Sequence, residues 1–238
     1  MHLDYWPGEL RGAVSLTFDD GAPSHLDRAI PLLNSHGLRG TFYLCPKGDN
    51  YREALAAWKE PHAQGHEVGN HTMHHTCSRN FRPEPGAPGL ETMTLEEMET
   101  ELVESERRLQ ELFPREHRSF CYPCYQCHVG EGINRKSYVP LVAKHFIAAR
   151  GGGEYGFANH PINADLACLA GQACERMTGP ELVGFAERAA RQGRWIVLAF
   201  HSIECGRLGT ALYEFQELIE HLGENRDRIW TAPVAEIA

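Results

Sequence analysis

Short apolar runs alternating with stretches of helical periodicity narrow most what this chain can become. Seven runs carry the pattern: AVSLTFDD (residues 13–20), RGTFYLC (39–45), HEVGNH (66–71), SFCYP (119–123), FIAAR (146–150), RWIVLAFHS (194–202) and IWTAP (229–233), with DLACL (165–169) a weaker eighth. Helical patterns fall between them, so the runs read as parallel strands of an α/β fold joined by helical crossovers. One interval sets Leu95, Met98, Leu102, Leu109 and Leu112 at helical spacing behind a Thr94 and Glu97 capping box, and stops at Pro114. A second box, Thr178 with Glu181, opens another helix, and Leu212, Phe215, Ile219 and Leu222 mark a third. The 238 residues hold no repeat or low-complexity tract, so residues 1–238 are expected to form a single domain. Residues 78–89, with three prolines and two glycines, and the RGGGEYG stretch from Arg150 read as surface loops.

Charge removes one class of partner. Against 32 acidic residues stand 23 basic ones, a net charge of −9 with no long cluster of Lys or Arg, which argues against nucleic acid. No stretch approaches the roughly 18 to 20 consecutive apolar residues of a membrane helix. The opening MHLDYWPGEL lacks the basic start and apolar run of an export leader, so a cytoplasmic location away from the membrane is expected. Eight cysteines, at 45, 77, 121, 124, 127, 168, 174 and 205, are too sparse for a disulfide scaffold and read as free thiols. The oligomeric state is not legible at this level.

Four runs end in chemistry: the first in Asp19 and Asp20, the third in His71, the fourth in Tyr122 to Cys124, the sixth in His201. In barrels of alternating strand and helix, the C-terminal ends of the strands carry the active site. Side chains alternate faces along a strand, so the two aspartates diverge, and one can bind a metal while the other accepts a proton. Gly21 permits the sharp exit, although Asp-Gly alone is also a common turn pair. In GNHTMHHTC, His71 and His75 stand four apart, the spacing of two-histidine metal sites, with His74 a geometric competitor. With Asp20 supplying an oxygen, two histidines and one carboxylate leave a position open for water, the pattern of a catalytic zinc.

These segments resemble a known family. TFDDG, GHEVGNHTMHH, CYPC, LAFHSI and IWTAPVAEIA are similar, in order and spacing, to the polysaccharide deacetylases of the NodB-homology group, carbohydrate esterase family 4, from about Val14 to Ile237. The resemblance implies a distorted (β/α)7 barrel that removes acetyl groups from N- or O-acetylated sugars or glycans with a divalent metal. By matching positions it implies Asp19 as general base, His201 as general acid, and Asp20, His71 and His75 as metal ligands. It also implies the backbone N–H of Cys124 as an oxyanion donor. Zn²⁺ suits that ligand set, and Co²⁺, Ni²⁺ or iron accept similar sites.

The sequence also departs from the pattern. The family's Arg-x-Pro-Tyr or Phe reads Cys121-Tyr122-Pro123-Cys124 here, so the arginine that would hold the catalytic aspartate is missing. Arg150, at the end of FIAAR, is the candidate replacement, against the alternative of an arginine facing solvent. The motif whose aspartate orients the histidine is not recognisable: Asp165 is present, but no tryptophan follows. Cys121, Cys124, Cys127 and His128 raise a second zinc or iron-sulfur site, although a place in the cleft fits substrate contact better. Two other functions stay open, hydrolysis of a non-sugar amide such as a cyclic ureide and a non-catalytic glycan-binding module. Retention of Asp19 and His201 argues against the module.

Overall fold

The computed structural model describes residues 5–81, 89–153 and 155–238. Of the expected 78–89 loop, residues 82–88 lie outside this range, as does Glu154 of the RGGGEYG loop.

Seven parallel strands form an almost closed barrel. They are β1 (Gly12–Asp19), β2 (Thr41–Leu44), β3 (Glu67–Asn70), β4 (Ser119–Cys121), β5 (Ala148–Arg150), β6 (Gly171–Ala173) and β7 (Trp195–Phe200). Their order is β5-β4-β3-β2-β1-β7-β6, and a bridge between Arg150 and Leu169 brings the two edges together. An eighth strand, β8 (Ile229–Thr231), pairs with the first residues of β1, opposite Gly12 to Val14, while β2 takes the same side of β1 from Thr17 onward. The expected DLACL strand is corrected: Leu166–Cys168 is a 3₁₀ turn, and the strand on that edge is β6, just beyond it. Asp165 caps that turn by accepting the Ala167 N–H at 2.9 Å, a short polar side chain competing with strand formation.

Every residue of β1 is buried, as a strand covered on both faces must be. Val14, Leu16 and Phe18 join the main core, where the Phe18 ring stacks between Phe42 and Phe200 with centroids 4.7 and 5.4 Å away. The alternate row is Ser15, Thr17 and Asp19. Ser15 donates to the Ala232 carbonyl at 2.9 Å and Thr17 to that of Leu198 at 2.8 Å, so both hydroxyls are satisfied by backbone. Buried Glu67 is likewise satisfied, accepting from Thr41 Oγ1, Ser119 N–H and Ala235 N–H at 2.8 to 3.0 Å. Among these inward carboxylates Asp19 differs: its Oδ1 is buried without a partner. Gly69 leaves room for the Tyr43 ring, because a Cβ there would sit 2.4 Å from Tyr43 Cδ1.

The helices expected from spacing are present as α1 (Leu95–Leu112), α2 (Gly179–Gln192) and α3 (Leu212–Glu224). In α1 the capping box is complete: the Thr94 N–H donates to Glu97 at 2.8 Å and the Glu97 N–H to Thr94 Oγ1 at 3.2 Å. This helix also fixes the end of β3. Ser105 donates to Asn70 Oδ1 at 3.0 Å, and Asn70 Nδ2 donates to Glu106 at 3.2 Å.

Candidate active site

The last residues of the strands place the candidate groups on one rim. Asp19 ends β1, His71 follows β3, Cys121 ends β4, Arg150 ends β5, and His201 follows β7. Cys121 and Arg150 are register partners across β4 and β5.

Backbone strain gathers here. Asp20, Thr72, His75, Cys124 and Tyr125 all have positive φ, between 50° and 68°. Such conformations cost on the order of 1–3 kcal/mol each and persist where the surroundings enforce them. The Asn70 side chain accepts the Thr72 N–H at 2.9 Å, and Thr72 Oγ1 accepts the Thr76 N–H at 3.1 Å, tying down the histidine loop from both sides. Asp20, turned out of the strand path, then faces both histidines. Its Oδ1 is 3.3 Å from His75 Nε2 and 3.6 Å from His71 Nε2.

The fit of a cation to these three residues can be read from the tautomer. His71 Nδ1–H donates to the Cys121 carbonyl at 2.8 Å, which leaves Nε2 to present its lone pair towards Asp20. A lone pair facing a carboxylate oxygen needs a positive species between them. Burial pulls the His71 imidazole down, but Cys121 first and then Asp20 carry it well above its ordinary value. Burial and then neighbouring His71 hold His75 below its ordinary value, leaving it neutral. Asp20, His71 and His75 therefore fit a divalent cation, and the exposure of Asp20 leaves a side open for water or substrate. His74 takes no part, since its Nδ1 is drawn 2.6 Å from Glu101 on the outer surface.

Asp19 has a different environment. Arg150, fully buried, directs Nη2 onto Asp19 Oδ2. Burial pushes the Asp19 carboxyl up, but Arg150 first and then His71 and His201 bring it below the usual range. Asp19 therefore stays ionised, with Oδ1 free to accept a proton. Asp19, His71 and Cys121 form another group of metal-sized spacing, yet Arg150 already supplies the positive charge there. The same Nη2 lies 2.6 Å from Cys121 Sγ, so Cys121 fills the position of the family's arginine with an uncharged neighbour of the pair.

His201 Nε2 is 3.8 Å from Asp19 Oδ2, and its Nδ1 is 2.9 Å from the Glu175 carboxylate. Burial lowers this imidazole, but Glu175 and then Asp19 raise it above its ordinary value. Sequence reasoning missed Glu175. It follows β6, the strand the apolar pattern misplaced. It missed His25 as well, which is buried, pushed down to about 4 by burial, and donates Nε2–H to the His201 carbonyl at 2.9 Å.

The cysteines of the fourth run separate. Cys121 sits with Asp19 and His71, Cys124 with His75 and Cys77, and Cys127 Sγ lies 3.3 Å from His128 Nδ1. Among the described residues no metal-sized group unites Cys121, Cys124, Cys127 and His128. A groove of about 570 Å³ lined by His74, Thr76, Thr92, Met93, Glu97, Thr100 and Glu101 lies beside the histidine loop, and none of the rim carboxylates or His201 lines it.

Fold and rim together define a parallel β/α barrel with carboxylates and imidazoles converging after its strands. The sequence profile described as polysaccharide deacetylase matches residues 9–128, half of the chain. A Bacillus cereus peptidoglycan-N-acetylglucosamine deacetylase is 33% identical over 75 residues, which cover 32% of this chain and 27% of that protein. The matched segment thus spans about a quarter of that relative. Among solved structures, a family 4 acetyl xylan esterase from Clostridium thermocellum in complex with a cobalt ion superposes with a TM-score of 0.59 at 17% identity, covering 94% of this chain and 89% of that one. A CE4 family pseudoenzyme from Bacillus anthracis gives 0.60 at 16% identity, covering 97% and 66%. At these identities the structural likeness establishes the fold. The chain belongs to the polysaccharide deacetylase family, and its barrel is the distorted (β/α)7 barrel of the NodB type.

Proposed function

We propose that this protein is a metal-dependent hydrolase that removes acetyl groups from an N- or O-acetylated sugar or glycan. One observation carries the reading. Asp20 faces two imidazole nitrogens at 3.3 and 3.6 Å, while Asp19, the adjacent carboxylate, is paired with Arg150. Two neighbouring aspartates are thereby split between ligation and proton transfer.

In this reading Asp20, His71 and His75 hold the cation, with Zn²⁺, Co²⁺ or Ni²⁺ suited to the nitrogen and oxygen donors. When bound, it supplies a Lewis acid that polarises the acetyl carbonyl and brings the pKa of water towards ~7. Asp19 Oδ1, buried and unpartnered, takes the proton of the attacking water. The Arg150 guanidinium keeps that carboxylate ionised and fixes its orientation through Oδ2. The backbone N–H of Cys124, on the strained turn after β4, donates to the developing oxyanion. His201, held protonated by Glu175, gives its Nε2 proton to the departing amine or alkoxide. His25, through the His201 carbonyl, positions that residue.

Acetate release from chitooligosaccharide, acetylxylan and peptidoglycan fragments, with and without chelator, tests the proposal. Release that a chelator abolishes and added cation restores supports it. No release from any of the three by cation-loaded protein turns the reading towards a non-sugar amide or a binding module.

A further inference from the structure

A second set of ligands meets at the same rim; it shares His75 with the group above, and its two thiols have no part in the reaction. His75, Cys77 and Cys124 each offer one ligand atom, and these atoms lie within 4.8 Å of one another. Around a tetrahedral ion with metal–sulfur bonds of ~2.3 Å and metal–nitrogen bonds of ~2.0–2.1 Å, neighbouring ligand atoms stand about 3.5–3.8 Å apart. Closure therefore shortens each separation by about 1.3 Å or less. The two cysteines come from different loops, Cys77 after β3 and Cys124 after β4, so an ion there would join them. Cys77 is buried, Cys124 half-buried, and all eight cysteines are free thiols.

We propose that His75, Cys77 and Cys124 form a thiolate site for a soft cation such as Cd²⁺, and that this site competes with Asp20 and His71 for His75. Thiolate sulfur favours soft ions such as Cd²⁺, whereas the oxygen and two nitrogens of the neighbouring group suit borderline ions such as Zn²⁺. A neutral imidazole has one nitrogen with a free lone pair, so His75 serves one ion at a time. As each sulfur–metal bond forms, the thiol gives its proton to solvent. Filling the thiolate site withdraws one of three ligands from the other and pins the turn that carries the Cys124 N–H. The binding claim is independent of the reaction; the inhibition that follows from it rests on the hydrolase reading.

The experiment titrates Cd²⁺ alone, without oxygen, into the full chain after thiol counting shows the cysteines reduced. The structure predicts a sulfur-to-cadmium charge-transfer absorption that saturates at one ion per chain, with Cys77 and Cys124 protected from alkylation. Cys77→Ser and, from the other loop, Cys124→Ser each lose the absorption, and the Cd²⁺ midpoint rises by on the order of tenfold or more, at least the loss seen when an outer-shell partner is removed. Cys127→Ser keeps it. An absent band, a band unchanged in Cys77→Ser, or protection of other thiols overturns the proposal. Cd²⁺ inhibition of the Zn²⁺-loaded protein, measured relative to each variant's own rate, weakens to the same degree in Cys77→Ser. A chain that shows the band but releases no acetate from any substrate refutes the hydrolase reading and leaves the thiolate site standing.

Discussion

Glu175→Gln removes a charge from the proposed general acid while keeping the size and shape of its neighbour. The Glu175 carboxylate stands 2.9 Å from His201 Nδ1, and the two side chains are 20% and 19% exposed. Even with the dielectric constant of bulk water, attraction at that separation is about 332/(80 × 2.9), or about 1.4 kcal/mol, and partial burial makes this a floor. That energy is about a factor of ten in the ratio of imidazolium to imidazole. The sign follows from the role. His201 acts protonated, and Glu175 raises its pKa against burial, so the charge extends activity towards alkaline pH. In the variant the basic limb of kcat/KM moves to lower pH, and the rate measured on that limb falls about tenfold or more, with a smaller change on the acidic side. The assay is acetate release across the pH range of activity at saturating cation, with circular dichroism confirming the fold. A folded variant whose basic limb coincides with that of the parent would refute the assignment of Glu175 and His201.

Arg150→Met leaves the buried Asp19 charge without its partner and should cost about 3–5 kcal/mol of stability at neutral pH in denaturant titrations. With Arg150 gone, burial pushes the Asp19 carboxyl of the variant up while that of the parent stays below its ordinary value, so the gap shrinks as pH falls and both become protonated. A gap between parent and variant that widens on acidification would contradict the ion pair. Asp19→Asn should lower kcat by about 10²–10⁴ while cation binding, followed by calorimetry, stays within a few-fold of the parent. Full activity in this variant would remove Asp19 as the base.

What was legible in the sequence follows from where pattern and chemistry coincide. The strands β1 and β7 announce themselves because Val14, Leu16, Phe18 and Ile196 to Phe200 are buried apolar residues in strongly β-forming runs. The Thr94 and Glu97 box marked the start of α1 because both partners are local in sequence. β6 escaped because GQA is short, contains a glycine and has no β-branched residue, while the more apolar DLACL lies next to it as a turn. That one misplacement hid Glu175, since a residue is recognised as belonging to the rim only when its strand is known. Arg150 was legible as a rim residue from its position after FIAAR, but its contact with Asp19 spans 131 residues and depends on the curvature that brings β5 round towards β1. The separation of the three cysteines was equally hidden: the positive φ of Cys124 and Tyr125 turns the chain between Cys121 and Cys127, and spacing alone does not reveal it.

Anomalous diffraction from crystals grown with Zn²⁺ tests the division of labour between the two aspartates most directly. The account predicts one strong peak bonded to Asp20, His71 and His75, with Asp19 still held by Arg150 and not coordinated. A peak coordinated by Asp19, or density for Asp20 and both histidines with no ion between them at saturating Zn²⁺, would contradict it.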